Sequence, residues 1–153
     1  RVLTLSRNPG LSRQAACALG RLLAASNSIQ ELNLECCPLD EEACAALFEE
    51  LARCSEPSVL RKLDLSDNGV GGRGGAALTA AVQQEMLPLL EDLQWRYCEL
   101  GDEAGAELLE ALARPVPRYR DFSPLSELWL QDNGLGARAA GAAAAALQAG
   151  TFP

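Results

Sequence analysis

The sequence predicts an α/β solenoid, a stack of short strand–helix units, and three observations carry that reading. A motif of alternating leucines that closes on Asn or Cys recurs from one end of the chain to the other. Its full copies start at residues 29, 60, 90 and 125, with spacings of 31, 30 and 35 residues. Each copy is followed, in fixed register, by an apolar stripe with helical spacing. Self-similarity at a period of roughly 20–50 residues is the signature of a solenoid, in which a unit too small to bury its own apolar face stacks on its neighbours.

The copies can be read in order. A truncated one, "RVLTLSRNPGL", opens the chain and carries one extra residue after Asn8. The full ones are "IQELNLECCPL" from Ile29, "LRKLDLSDNGV" from Leu60, "LEDLQWRYCEL" from Leu90 and "LSELWLQDNGL" from Leu125. They fit L-x-x-L-x-L-x-x-N/C-x-L, with Ile29, Val70 and Trp95 as apolar substitutes. Alternation of apolar and polar residues predicts a short strand in each copy, centred near residues 3–5, 32–34, 63–65, 93–95 and 128–130. The starts divide the chain at about 1–28, 29–59, 60–89, 90–124 and 125–153.

A helix is expected after each strand. Six residues past the Asn or Cys stands a small residue, with further apolar residues four and eight positions on. These trios are Ala43, Leu47, Leu51; Gly74, Leu78, Val82; Ala104, Leu108, Leu112; and Ala139, Ala143, Leu147. The first copy's insertion shifts its trio to Ala15, Leu19, Leu23. Spacing of i, i+4, i+8 forms one apolar stripe, and the small leading residue lets the helix approach the strands closely. Ser12 and Asp40 read as N-caps, and Asp102–Glu103 places negative charge in a first turn, where the helix dipole favours it.

With these motifs the chain resembles the leucine-rich repeat superfamily, and within it the ribonuclease-inhibitor-like class. The segment "GDEAGAELLEALA" after "WRYCEL" follows that class's helical half closely. The resemblance covers essentially the whole chain. It implies a right-handed βα superhelix with a parallel sheet on the concave side and helices outside. It also implies a protein-binding scaffold in a reducing, cytoplasmic compartment, with parents such as sensor proteins, ribonuclease-inhibitor-type inhibitors or components of cytoskeletal and ciliary assemblies. The alternative it implies is a regulator of a small GTPase, since Ran GTPase-activating proteins share the repeat class.

The recurring Asn or Cys has a structural explanation. In a stacked solenoid the turn after each strand turns backbone groups inward, and a buried amide can satisfy them. Asn8, Cys37, Asn68, Cys98 and Asn133 are therefore expected to form a ladder. The six cysteines are read as free thiols: Cys36–Cys37 suits no common zinc spacing, and the chain has no His to complete a site.

The strand residues between the core leucines are expected to face the open concave side. Trp129, flanked by core Leu128 and Leu130, is the most prominent, since exposed aromatics are enriched among binding hot spots. Tyr97, Arg96, Asp64, Asp92, Glu127, Gln131 and Asp132 are the candidate binding residues around it. Trp129 could instead pack on a following repeat or another part of a longer chain. Trp95 occupies a core slot. The 35-residue spacing comes from "RPVPRYRDFSP" at 114–124, a surface loop or a second, basic contact site.

Net charge is −8, from 13 basic and 21 acidic residues, so nucleic acid is a poor partner and a basic protein surface a better one. No apolar run is long enough to span a membrane. Without His, a phosphate-binding glycine motif or a nucleophile beside a base, no catalytic residue, cofactor or metal is expected; "GGRGG" at 71–75 matches a phosphate loop in composition only. The chain opens at Arg1 within a repeat and closes on "LQAGTFP". It is therefore expected to be part of a larger chain or complex.

Overall fold

A computed structural model describes residues 1–114 and 125–150. Among the described residues, five strands alternate with five helices: β1 (Val2–Thr4), α1 (Arg13–Ala25), β2 (Glu31–Asn33), α2 (Glu41–Ala52), β3 (Lys62–Asp64), α3 (Gly71–Gln83), β4 (Asp92–Gln94), α4 (Asp102–Leu112), β5 (Glu127–Trp129) and α5 (Ala137–Gln148). The strands form one parallel sheet in chain order. Each strand begins one residue earlier than the leucine alternation predicts. The hydrogen-bonded ladder also takes in the residue before the first core leucine.

The register lines up equivalent positions without slippage. Leu3, Leu32, Leu63, Leu93 and Leu128 form one row, and Thr4, Asn33, Asp64, Gln94 and Trp129 the next. One backbone rule repeats at all four junctions. The residue after each strand donates its N–H to the last strand residue of the next unit: Leu5 to Asn33, Leu34 to Asp64, Leu65 to Gln94 and Trp95 to Trp129, at 2.8–2.9 Å. Two residues further on, Arg7, Cys36, Asp67 and Tyr97 donate in the same way to Glu35, Ser66, Arg96 and Gln131.

Between sheet and helices lies the core, built from the leucine rows and the helix stripes. Ala43, Leu47 and Leu51 of α2 are all buried, as are Leu19 and Leu23 of α1 and Leu108 and Leu112 of α4. On α5 the stripe is mostly open. Ala139 is buried, but Leu147 is 59% exposed, where a stripe leucine would be expected inside. Trp95 and Phe48 are fully buried and stack with centroids 6.3 Å apart and planes 18° from parallel. The pair runs from α2 to the residue after β4, spanning the third unit, whose helix offers Gly74, Gly75, Leu78 and Ala81 to the interior.

Small residues set the helix spacing. A Cβ on Gly20 would collide with the Leu47 carbonyl, so α1 and α2 approach only because that position has no side chain. Gly71, at φ +57, adopts a left-handed turn and lies against the Glu41 carboxylate. These contacts account for part of the glycine run at 71–75 in structural terms.

Of the five expected ladder residues, Cys37, Asn68, Cys98 and Asn133 bond across a junction, whereas Asn8 is exposed and its amide nitrogen donates within its own unit. Asn68 is 5% exposed. Its Oδ1 accepts from the N–H groups of Cys37 and Leu39 at 3.0 Å, and its Nδ2 donates to Leu34 O, Leu65 O and Ser66 O at 2.8–3.1 Å. Asn133 repeats the pattern on the unit before it, accepting from Cys98 and Leu100 and donating to Trp95, Leu130 and Gln131. The thiol rungs are thinner: Cys37 Sγ donates to Leu5 O at 3.0 Å and Cys98 Sγ to Leu65 O at 3.2 Å. Burial pushes the Cys98 thiol up to about 11, so it stays protonated and able to donate. All six thiols are free.

Ser12 and Asp40 cap α1 and α2 as expected, accepting from Ala15 N and Ala43 N at 3.4 and 2.7 Å. Asp102 does more than its position suggests. Standing in the first turn of α4, it caps α5: its carboxylate accepts from Gly136 N and Ala139 N at 2.8 Å and from Arg138 N at 3.2 Å. The α5 N-terminus has no side-chain cap of its own, and Arg138 also pairs with Glu103. These N–H groups, the Ala139 bond foremost, hold the Asp102 carboxyl below the usual carboxylate range.

Two outcomes follow from this bonding. Asn68→Ala strands two buried N–H groups and should cost about 3 kcal/mol or more in urea denaturation, whereas Asn8→Ala, at an exposed rung, should cost less than about 1. Asp102 stabilises α5 while ionised, so its contribution is complete above the ordinary carboxylate range and fades as pH falls through its depressed folded value. The gap in melting temperature between the wild-type chain and Asp102→Asn should therefore be widest near neutral pH and close under acid.

Candidate functional site

The open face of the sheet is built by strand alternation. The core leucines point inward, so Glu31, Lys62, Asp92 and Glu127 in one row and Asn33, Asp64, Gln94 and Trp129 in the next belong to the opposite face. Strands spaced about 4.8 Å apart bring these side chains into cross-strand contact.

A continuous polar network results. Asp64 accepts from Ser66 N at 3.0 Å and from Asn33 Nδ2 at 3.4 Å. Asp92 pairs with Lys62 and accepts from Gln94 Nε2 at 3.2 Å. The Asp92 bond raises the Lys62 ammonium above its ordinary value, with partial burial opposing it. Arg96 donates to Ser66 Oγ at 3.4 Å and Gln94 Oε1 at 3.2 Å. Its guanidinium lies 5.7 Å from the Trp129 ring centroid, within cation–π range. The indole Nε1 of Trp129 donates to Glu127 Oε2 at 3.3 Å.

Of the predicted binding residues, the structure brings Arg96, Glu127 and Trp129 into one contacting group and places Gln131, Asp132 and Tyr97 beside it as exposed residues. Trp129 is 40% exposed and Tyr97 55%. Asp64 and Asp92 sit differently from the expectation of open acids: both are buried, at 5% and 9% exposure, and engaged with neighbours. The physical reason is the register, which places Asn33, Ser66, Lys62 and Gln94 beside them. Lys62, Ser66 and Gln94 are therefore positioning residues for Arg96 and the acids. Their cross-strand pairing was implicit in the repeat alignment. The insertion at 114–124 lies, apart from Arg114, outside the described residues.

The residue before each ladder rung has left-handed backbone: Arg7, Cys36, Asp67, Tyr97 and Asp132 have φ between 54 and 62. This turn carries Tyr97 and Asp132 to the margin of the face. Donor atoms of Glu35, Cys36 and Asp67 lie within 4.8 Å of one another there. Partial burial, then the charges of Asp67 and Glu35, raise the Cys36 thiol. A protonated thiol is a poor metal ligand and a poor nucleophile.

Comparison with known families gives a match at residues 57–78 to a family model described as "Leucine Rich repeat", covering β3 and the start of α3. No curated protein matches the chain. With five parallel strands alternating with five helices among the described residues, the fold is an α/β solenoid of leucine-rich-repeat type. Such repeats generally mediate protein–protein interaction and typically act as non-enzymatic scaffolds.

The two tryptophans should separate in a stability measurement. Trp95→Ala removes a fully buried ring and should cost about 3–5 kcal/mol. Trp129→Ala trims a 40% exposed side chain and should cost no more than about 1 kcal/mol of stacking, read from denaturant midpoints of the two variants.

Proposed function

We propose that the chain is a protein-recognition scaffold that binds its partner through the open face of the sheet, with Trp129 at the centre of the contact. The carrying observation is an indole 40% exposed on a fixed strand and backed by Arg96. Holding the ring in place reduces the entropy lost on binding, which favours it as an anchor. Tyr97, Gln131 and Asp132 surround it. Asp64 and Asp92 support the network beneath and do not contact the partner directly.

The partner in this reading is a protein with a basic surface rather than nucleic acid. The chain carries a net charge of −8, and Asp67, Glu127 and Asp132 lie exposed on or beside the face. The long repeat with a full helix supports the ribonuclease-inhibitor-like class, and six free thiols suit a reducing, cytoplasmic setting within a larger assembly. The role is binding and not catalysis.

A titration of the captured partner tests this. Trp129→Ala should weaken binding by about 2 kcal/mol or more, roughly thirtyfold, with the fold intact. Unchanged affinity in a folded Trp129→Ala chain would reject this face as the contact.

A further inference from the structure

We propose that the cleft between α3 and α4, on the helix side of the solenoid, is a second recognition site that takes the side-chain ammonium of a lysine from a protein partner. It belongs to the opposite layer from the open sheet face and stands whether or not that face binds. The cleft has a volume of about 390 Å³. Thr79 is the buried member of its lining, the others being half-buried or exposed.

The repeat supplies an internal control, because the preceding junction carries an equivalent cleft. That one, of about 430 Å³ between α2 and α3, is lined by Phe48 and by Ala77 and Ala80. One unit on, the same positions are Thr79, Glu107 and Glu110. Thr79 follows Leu78 of the stripe as Phe48 follows Leu47, and the corresponding residues of the remaining helices are Gly20, Leu109 and Ala144. A hydroxyl and two carboxylates thus stand where the neighbouring cleft has a ring and two methyl groups. Closing a helix junction does not call for this exchange, since the other four helices carry apolar or small residues at the Thr79 position.

The Thr79 hydroxyl is unsatisfied. The residue is 5% exposed, and its buried Oγ1 makes no hydrogen bond. A helical threonine ordinarily turns its hydroxyl back on a carbonyl three or four residues earlier. Here those carbonyls belong to Ala76 and Gly75, and neither bond is made. A buried hydroxyl in this state costs free energy until a group enters to bond it. On the facing helix, Glu107 and Glu110 are exposed and three residues apart, so they share a face and repel. Among the described residues neither has an ion pair.

The cleft therefore presents acceptors: two carboxylates, a hydroxyl and the amide oxygen of Gln83. An ammonium has three donors and no acceptor, which suits that set, and its slender stem can lie along Ala76 and Ala80. A guanidinium favours a planar, bidentate partner that a single hydroxyl does not offer. A free diamine is a poorer fit, because Arg114 and Arg138 line the same cleft and would oppose its second charge.

Amide resonances of the isotope-labelled 153-residue chain test the proposal in a titration. The probe is lysine capped at both backbone ends, and the control is the same molecule acetylated on its side-chain nitrogen. Capped lysine should give saturable shifts at Thr79, Gln83, Glu107 and Glu110, with a dissociation constant in the millimolar range; the acetylated control should give none. Combining Glu107→Gln with Glu110→Gln should weaken binding roughly tenfold or more, and Thr79→Val roughly fivefold. Thr79→Val should also leave the melting temperature unchanged or raised, because no native hydrogen bond is lost, whereas a hydroxyl with a structural role would lower it. Cadaverine should bind no more tightly than capped lysine. The proposal is overturned by the absence of saturable shifts at these residues, by equal shifts with the acetylated control, or by full affinity in either variant. A lowered melting temperature in Thr79→Val, or tighter binding of cadaverine, would overturn it as well.

Discussion

The structure depends on a side chain that reaches backward. In the second and fourth units, two N–H groups of the strand-to-helix turn find their acceptor in the following unit. Asn68 closes the turn of the second unit and Asn133 that of the fourth, each exchanging three hydrogen bonds across its junction. A buried amide can accept two bonds and donate as well, and a thiol of similar volume cannot accept as strongly. The Cys37 and Cys98 rungs accordingly cross their junctions with one donated bond apiece. Polar coupling therefore alternates along the stack, with the second and third units tied tightly, and the fourth and fifth.

The helix layer follows the same logic by other means. At the last junction, Asp102 caps a helix that is not its own. Where α3 turns Gly74, Gly75 and Ala81 to the interior beside Leu78, Phe48 and Trp95 from the units on either side stack on one another. In each case a unit supplies what its neighbour lacks, so deleting one side chain registers at a junction and not within a single repeat. This is the nearest-neighbour character expected of solenoids, here traceable to named atoms.

Much of this was legible from repeat alignment alone. The leucine rows, the ladder residues, the inward Trp95 and the outward Trp129 are all fixed by periodicity, which specifies which face a residue takes. What periodicity does not specify is distance across a junction. Asp64 and Asp92 align with the open face yet are buried there, because Asn33, Ser66 and Lys62 stand next to them on adjoining strands. Asp102 reads as a first-turn acid of its own helix, and only the packing of α4 on α5 shows whose N-terminus it serves. Leu147 has the right phase for the core and remains 59% exposed, because on α5 the rest of the stripe is alanine.

The candidate recognition face inherits these junctions. Trp129 sits on β5, whose unit buries little of its own helix; its attachment rests on Asn133, on Asp102 and on β5 pairing with β4. Arg96, which faces the indole, belongs to the fourth unit and is held by Ser66 of the third and Gln94 of its own strand. The aromatic anchor thus depends on three successive units keeping register. A partner seated on Trp129 and Arg96 together would bridge a junction, and its binding energy would add to the stability of that junction by mass action. On the proposed reading, recognition and the stacking of the repeats would be one coupled equilibrium, joined at the Arg96–Trp129 contact.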